Sequence, residues 1–273
     1  MDIIVVDDNS PSMEEKQDRM AKRFGGFIDS LTGLDWQVGI ITTDVLHHNK
    51  YWQDGRLLPF NGVKNTYIIN PSTPNVEQVF ANTVRRKEWG SDDERGIFGL
   101  LRMFQRPENA PMIRPNSQVV SIIVSDEDER SNEWELQPED KPETLLAYFN
   151  AHFGKTNTYV NHSLVFLKDE ASCPKLGEQY KGLLYEKLSS MTGGVVGDIC
   201  EPDYMTTLSN IADNVRQNTF AAKLECVPKN GQFTITYSPK PPQTINATVN
   251  GDILDLKPYP PVGTKVEVKY YCE

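Results

Sequence analysis

The sequence has no long apolar run and no excess of basic residues, and each absence argues against a class of protein. No window approaches the roughly 18 consecutive apolar residues that a membrane-spanning helix needs. The 273 residues include 28 Lys and Arg against 38 Asp and Glu, a formal net charge of −10. Proteins that bind a nucleic-acid backbone show a clustered basic excess, so nucleic acid is not an expected partner.

Cysteine and histidine are also scarce, at four residues each. The cysteines form no C-x-x-C pair and have no histidine at ligand spacing, which argues against a zinc site. Two lie in one region and two bracket the C-terminal segment, so we predict two disulfides, which need an oxidising compartment. Four free thiols in a cytoplasmic protein are the alternative. The predicted pairs are Cys173 with Cys200 and Cys226 with Cys272.

The first apolar run begins at Asp2, directly after Met1. Residues 2–6 are too few, and too uncharged on their N-terminal side, for a signal peptide. We therefore expect Met1 to be an introduced start and an export segment to have been removed. The protein would then be periplasmic or on the outer surface, with a lipid anchor through the removed segment as one form. An ordinary cytoplasmic protein whose first strand opens the chain is the alternative.

Short apolar runs alternate with segments of helical period over residues 1–220. Unbroken β-branched runs are typical of strands buried on both faces, and the apolar stripe from Met20 to Leu31 predicts a helix that Gly33 ends. The predicted strands are 3–6, 38–41, 67–69, 119–124, 164–167 and 195–199. The further helices are 76–85, 94–105, 142–153, 178–191 and 204–217. This alternation predicts an α/β fold with a mostly parallel, doubly wound sheet, and the helix-free segment 38–69 predicts an antiparallel edge.

The pattern changes after residue 220. Three segments alternate polar and apolar residues, separated by proline-rich turns and by Asn250-Gly251, a strong hairpin motif. They are 233–237, 245–249 and 266–271. We therefore divide the chain into an α/β domain, residues 1–220, and a small C-terminal β extension, residues 221–273, which a Cys226–Cys272 bridge would stabilise.

Hydroxyl and carboxylate side chains cluster where predicted strands end, which is where open α/β sheets bind ligands. One loop, Asp7-Asp8-Asn9-Ser10-Pro11-Ser12, follows the first strand, and Ser125-Asp126-Glu127-Asp128 follows a central one. A third, Gly90-Ser91-Asp92-Asp93, precedes a helix. An all-oxygen set without Cys or His suits Mg²⁺, Mn²⁺ or Ca²⁺ better than zinc or copper.

These motifs resemble those of the von Willebrand factor A domain with its metal-ion-dependent adhesion site. The family's D-x-S-x-S motif matches Asp8, Ser10 and Ser12, its second-motif threonine position falls on Ser91, and its third-motif aspartate is Asp126. Segments 39–44, 125–128 and 192–200 also resemble bacterial cell-envelope members of the group. The resemblance spans about residues 2–220, and three motifs in order on the expected elements make it specific. The chain departs from the family pattern where Pro11 replaces glycine and where serine replaces threonine at position 91.

The resemblance implies a binding module rather than an enzyme. Five side chains would hold the cation, the serines directly and the aspartates directly or through water: Asp8, Ser10, Ser12, Ser91 and Asp126. Mg²⁺ is the first expectation, with Mn²⁺ or Ca²⁺ as alternatives, and one octahedral position would stay open for a carboxylate of a protein or cell-surface partner. The nearby acids that could act as outer or substitute ligands are Asp7, Asp92, Asp93 and Asp128.

Other interpretations remain open. The metal could be lost and the fold kept, as in a structural subunit of a cell-envelope complex. A Mg²⁺-dependent phosphoester hydrolase would use the same ions, although the nearest cation for a phosphate is Arg95. The opening residues 3–11 also resemble a response-regulator receiver domain, but no apolar strand precedes the phosphoacceptor region at 51–55. The acidic run from Asp126 to Asp140 could form a second cation site, but we interpret it as a solvated loop, the commoner role of such a run.

Overall fold

The computed structural model describes residues 1–45, 53–85, 90, 93–130, 135–167, 180–219, 221–257, 260 and 264–272. Three of the predicted functional residues therefore lie outside the described residues. They are Ser91 and Asp92 of the proposed metal site and Cys173 of one proposed disulfide.

Five parallel strands form the central sheet. They are β1 (Asp2–Asp7), β2 (Gln37–Thr42), β3 (Gln118–Ser125), β4 (Thr158–Val165) and β5 (Val196–Asp198). Their order is β2-β1-β3-β4-β5, and every residue of β1, β2 and β3 is buried. Burial on both faces explains the unbroken apolar runs in the sequence. The predicted fold class, a mostly parallel doubly wound α/β sheet, is confirmed.

Six α-helices lie in the described part of the chain. They are α1 (Glu14–Ser30), α2 (Val76–Val84), α3 (Gly96–Gln105), α4 (Pro142–His152), α5 (Leu183–Thr192) and α6 (Met205–Thr219). α1 packs against α2 and α6, and α4 packs against α3 and α5, which gives one helical layer and one apolar core on each face of the sheet. α1 ends at Ser30 rather than at Gly33. The backbone N–H of Leu31 already donates to the carbonyl of Ile28 in a tight turn, and the N–H of Leu34 donates to the carbonyl of Leu31 in the next one. No helix among the described residues is both long and apolar enough to cross a bilayer.

The predicted strand at 67–69 is wrong, although its antiparallel direction is correct. Ile69 forms a single antiparallel bridge with Val38, with hydrogen bonds of 2.8 and 2.9 Å between the two backbones. The N–H of Leu58 takes the neighbouring acceptor on β2, the carbonyl of Ile40, at 2.8 Å. Two short segments therefore share the edge of β2, and neither extends into a strand.

The C-terminal residues form two small antiparallel sheets. The strands are β6 (Ala221–Lys223), β7 (Pro228–Ser238), β8 (Asn246–Asn250), β9 (Ile253–Lys257) and β10 (Lys265–Cys272). β7 pairs with β10, and β9 lies between β6 and β8. The hairpin predicted at Asn250-Gly251 joins β8 to β9, with Asn250 opposite Ile253. Leu224, Leu254 and Leu256 are buried in an apolar cluster to which β7 and β10 also contribute.

The predicted Cys226–Cys272 disulfide is present, with 5.7 Å between the two Cα atoms. It joins the segment before β7 to the end of β10, so the two ends of the segment that carries β7 to β10 are fixed to each other. The other predicted pair stays a prediction, because Cys173 lies outside the described residues.

Candidate functional site

The loops that follow β1 and β3 lie side by side at the carboxyl edge of the sheet. The strands pair in parallel with Asp7 opposite Val124, and the N–H of Asp8 continues the ladder to the carbonyl of Val124 at 3.1 Å. This register places Asp8 and Asp126 next to each other, and both are fully buried. The two acids that the sequence assigns to one site are therefore neighbours in space.

A chain of hydrogen bonds connects the serines to these acids. The Ser10 and Ser12 hydroxyl oxygens lie 3.0 Å apart, and the Ser12 hydroxyl donates to Asp126 Oδ1 at 2.9 Å. The backbone N–H of Ser10 donates to Asp8 Oδ1 at 2.8 Å, and the Ser125 hydroxyl donates to Asp8 Oδ2 at 2.6 Å. Ser12 is exposed, so the set opens to solvent on that side. Four of the five predicted ligands thus form one connected group.

The loop before α3 also reaches this edge. The N–H of Gly90 donates to the carbonyl of Asn9 at 2.7 Å, and a Cβ at Gly90 would lie 2.5 Å from the Asn9 Oδ1. A side chain at position 90 would therefore push this loop away from the D-x-S-x-S loop.

The two buried aspartates create a local need for positive charge. Burial, followed by the repulsion from Asp126, raises the pKa of Asp8 to about 7. A carboxylate in this position is costly unless a cation or further donors compensate it. A cation bound here would be surrounded by hydroxyl and carboxylate oxygens. The residues present therefore fit a hard divalent cation.

Lys16 lies beside this site, and the sequence analysis missed it. Its ammonium donates to Asp126 Oδ2 at 2.7 Å and to the carbonyl of Ser12 at 2.9 Å. The expectation that Arg95 would be the nearest cation is wrong, since the Arg95 guanidinium bonds instead to Asp140, with 2.8 Å from its Nε to Oδ1. The sequence spacing could have indicated this position of Lys16. Lys16 follows Ser12 by four residues at the start of α1, and one helical turn brings its side chain back over the loop.

Glu94 adds a further buried carboxyl group near the site. The residue is 1% exposed, and its carboxyl group interacts with that of Glu127. Burial raises its pKa to about 11, and the negative charges of Asp8 and Glu127 act in the same direction. In the absence of a cation, Glu94 is therefore protonated at neutral pH. Its place near the start of α3 was the only sequence indication.

The acids named as outer or substitute ligands have other contacts. Asp7 Oδ2 accepts a hydrogen bond from the Gln17 side chain at 3.2 Å. Asp93 lies 3.4 Å from the Arg130 guanidinium. Asp128 accepts the backbone N–H of Leu184 at 3.0 Å, at the start of α5, where it compensates the unpaired N–H groups of the helix end.

The acidic run after β3 is not a solvated loop over residues 126–129, so that expectation is wrong. Asp126 is 0%, Asp128 9% and Glu129 2% exposed. Glu129 accepts the N–H groups of Ile97 and Phe98 at 2.8 and 3.0 Å, at the start of α3. The run is buried because two helix N-termini converge on it and need acceptors. Among the described residues, no group of three or more His, Cys, Asp or Glu could hold a metal ion, so the candidate set depends on its hydroxyls.

Comparisons with known proteins give structural neighbours but no sequence relative. No family model and no curated protein matches the chain. A von Willebrand factor type A protein from Catenulispora acidiphila is 16% identical with a TM-score of 0.45, and the match covers 99% of this chain and 58% of that one.

Two further solved structures are similar at comparable levels. The pilus adhesin SpaC from Lactobacillus rhamnosus GG is 13% identical with a TM-score of 0.44, and the match covers 98% of this chain and 38% of the adhesin. The human COPII-coat protein Sec24c is 10% identical with a TM-score of 0.45, and the match covers 100% of this chain and 39% of that protein. This chain thus spans less than two thirds of each of these proteins. The strand order and the D-x-S-x-S loop at the end of β1 make it similar to von Willebrand factor A proteins in fold.

Proposed function

We propose that this chain is a binding or adhesion module that holds a divalent cation and recognises an acidic group on a protein or cell-surface partner. Asp8, Ser10, Ser12 and Asp126 would hold the cation, with Ser91 as a fifth ligand. The observation that carries the proposal is the hydrogen-bonded chain from Ser10 through Ser12 to Asp126, beside the buried Asp8.

The charge balance of this set favours binding an anion. The serine hydroxyls are neutral, so two carboxylates at most neutralise a divalent ion and leave it able to accept one more anionic ligand. The exposed Ser12 lies on the side from which a partner could approach. The chain's own residues would orient the ion, and the partner would supply the last oxygen. This arrangement requires no bond to be broken, which is why we propose binding rather than catalysis.

Calorimetry with Mg²⁺, Mn²⁺ and Ca²⁺ tests the cation. We expect the wild-type protein to bind at least one of them, and Asp8→Ala and Asp126→Ala to abolish binding while the far-ultraviolet circular dichroism stays unchanged. Asp213→Ala, which removes an exposed aspartate of α6, is the matched control and should bind like the wild type. Wild-type affinity in both site variants would show that the residues are wrongly assigned.

A crystal grown with Mn²⁺ tests the open position. A water, an acetate or a carboxylate from a neighbouring molecule at that position supports recognition of an acidic partner. An intramolecular carboxylate there, for which Glu94 is a candidate because its charge interacts with that of Asp8, would make the ion structural and contradict the adhesive role.

A structural subunit of a cell-envelope complex with a degenerate site is the second candidate. The contact between Lys16 and Asp126 favours it, since an ammonium already supplies positive charge to the site. The absence of any divalent binding by the wild-type protein, together with partner assembly that resists chelator, would select this candidate.

We also propose that the protein functions outside the cytoplasm, in the periplasm or on the outer surface. The Cys226–Cys272 disulfide supports this location, because such bonds persist in oxidising compartments. An exposed carboxylate on a surface protein would be accessible to the site there.

A further inference from the structure

The Lys16 ammonium lies against the same two residues that would serve a metal ion. Its Nζ is 2.7 Å from Asp126 Oδ2 and 2.9 Å from the backbone carbonyl of Ser12. The other carboxylate oxygen, Asp126 Oδ1, accepts the Ser12 hydroxyl at 2.9 Å. The described contacts of Asp126 are thus divided between Lys16 and the serine of the D-x-S-x-S motif.

This contact differs from an ordinary surface ion pair. The Asp126 side chain is 0% exposed and the Lys16 side chain 17%, whereas the Lys22–Asp18 pair two turns further along α1 is 63% and 40% exposed. A buried carboxylate needs a compensating charge, and removal of that charge is costly. Lys16 therefore compensates the Asp126 carboxylate with one positive charge, as a divalent ion would with two.

A divalent ion held by Asp8, Ser12 and Asp126 would lie within a few ångströms of the Lys16 ammonium. Two cations at that separation repel each other strongly in a partly buried site. The lysine can move away, because its position in the first turn of α1 is partly exposed and its stem is long and flexible. Asp126 cannot follow it, since β3 and the Ser12 hydroxyl hold the carboxylate in place.

We infer that Lys16 is the internal counter-ion of this site and that a divalent cation binds only when its ammonium leaves Asp126. This inference rests on the proposed function and adds a residue that sets the cation affinity. The positive charge at Asp126 is then never absent: the lysine supplies it without the metal, and the metal supplies it when bound.

The test compares Mn²⁺ and Mg²⁺ binding by calorimetry in the wild type, Lys16→Met and Lys22→Met. Both substitutions remove one positive charge and keep a long side chain on the same helix. We expect Lys16→Met to bind at least tenfold more tightly than the wild type, and Lys22→Met to bind within twofold of it. In chelator, Lys16→Met should melt several degrees below the wild type, and saturating Mn²⁺ should remove this difference.

The outcomes separate the inference from the function on which it rests. If Lys16→Met binds the ions as the wild type does, or more weakly, the exchange is wrong and the metal-dependent function stands. If neither protein binds any of the ions, both are overturned. If Lys16→Met binds and the wild type does not, the lysine alone keeps the metal out, which supports the inference in its strongest form.

Discussion

Asp8 shows how one buried side chain can make folding depend on pH and on a cation. Its folded-state pKa is about 7, above the ordinary aspartate value of 3.8, because the group is buried beside Asp126. Well below pH 3.8 the carboxyl is protonated in both the folded and the unfolded chain. As the pH rises from 4 to 7 the unfolded chain loses this proton first, so the folded state loses stability over that interval.

Asp8→Asn should remove this pH dependence, since the amide keeps an acceptor for Ser10 and never ionises. The measurement is urea unfolding in chelator at pH 5 and pH 8. The free energy of unfolding of the variant, relative to that of the wild type, should be roughly 2 to 4 kcal/mol higher at pH 8 than at pH 5. Saturating divalent ion should reverse the order, because only the wild type can bind it. Parallel stability curves in chelator would contradict the assigned cause.

The side chains whose position the sequence predicts lie at strand ends, whereas those it misses depend on how loops pack. Asp8, Ser10, Ser12 and Asp126 follow directly from strand ends in a parallel sheet, where chain position largely determines location. Glu94 depends on how the loop before α3 folds back over the sheet, which short-range patterns do not encode. Short-range patterns also do not encode which segments share the edge of β2, or that Asp128 and Glu129 accept hydrogen bonds from helix N-termini.

At the scale of elements, α3 and α5 begin on the acidic segment that follows β3. Glu129 accepts two N–H groups of α3, and Asp128 accepts one at α5. The turn that presents Asp126 therefore also fixes the N-termini of two helices on one face of the sheet. The helices are predictable from their apolar periodicity, but their anchoring is a tertiary contact.

Glu129→Ala should destabilise the protein by about 1 to 3 kcal/mol, because one buried and one partly buried N–H group lose their acceptor. Glu129→Gln keeps an acceptor oxygen and should lose less than half as much. Glu143→Ala, which removes an exposed pair with Lys187, should change the free energy of unfolding by less than about 0.5 kcal/mol. Urea denaturation measures all three, and equal losses for Glu129→Ala and Glu143→Ala would refute the capping role.

For the whole molecule, the C-terminal extension has the smallest apolar core among the described residues. Among its described residues, the apolar cluster contains three buried leucines, so the extension depends on cross-linking more than the α/β domain does. The Cys226–Cys272 bond spans a sequence separation of 46, for which the chain-entropy model gives about 4 kcal/mol.

Reduction, or Cys226→Ala with Cys272→Ala, should unfold residues 221–273 before the α/β domain. Limited proteolysis should then cut the extension first, while divalent affinity at Asp126 stays unchanged. Thiol counting under denaturing but non-reducing conditions should find no reactive thiol in the wild-type protein if the Cys173–Cys200 pair also forms. Four reactive thiols would overturn both the disulfide prediction and the proposed location.

The bond between the two cysteines also determines how the chain bears mechanical load. Strands β7 to β10 lie entirely between Cys226 and Cys272. Tension applied on the C-terminal side of Cys272 would pass through the sulfur atoms to residue 226 and reach β6 and α6 without stretching those four strands. The four strands inside the loop would then keep their length under such a pull, whereas β6, which lies outside the loop and pairs with β9, would carry the load.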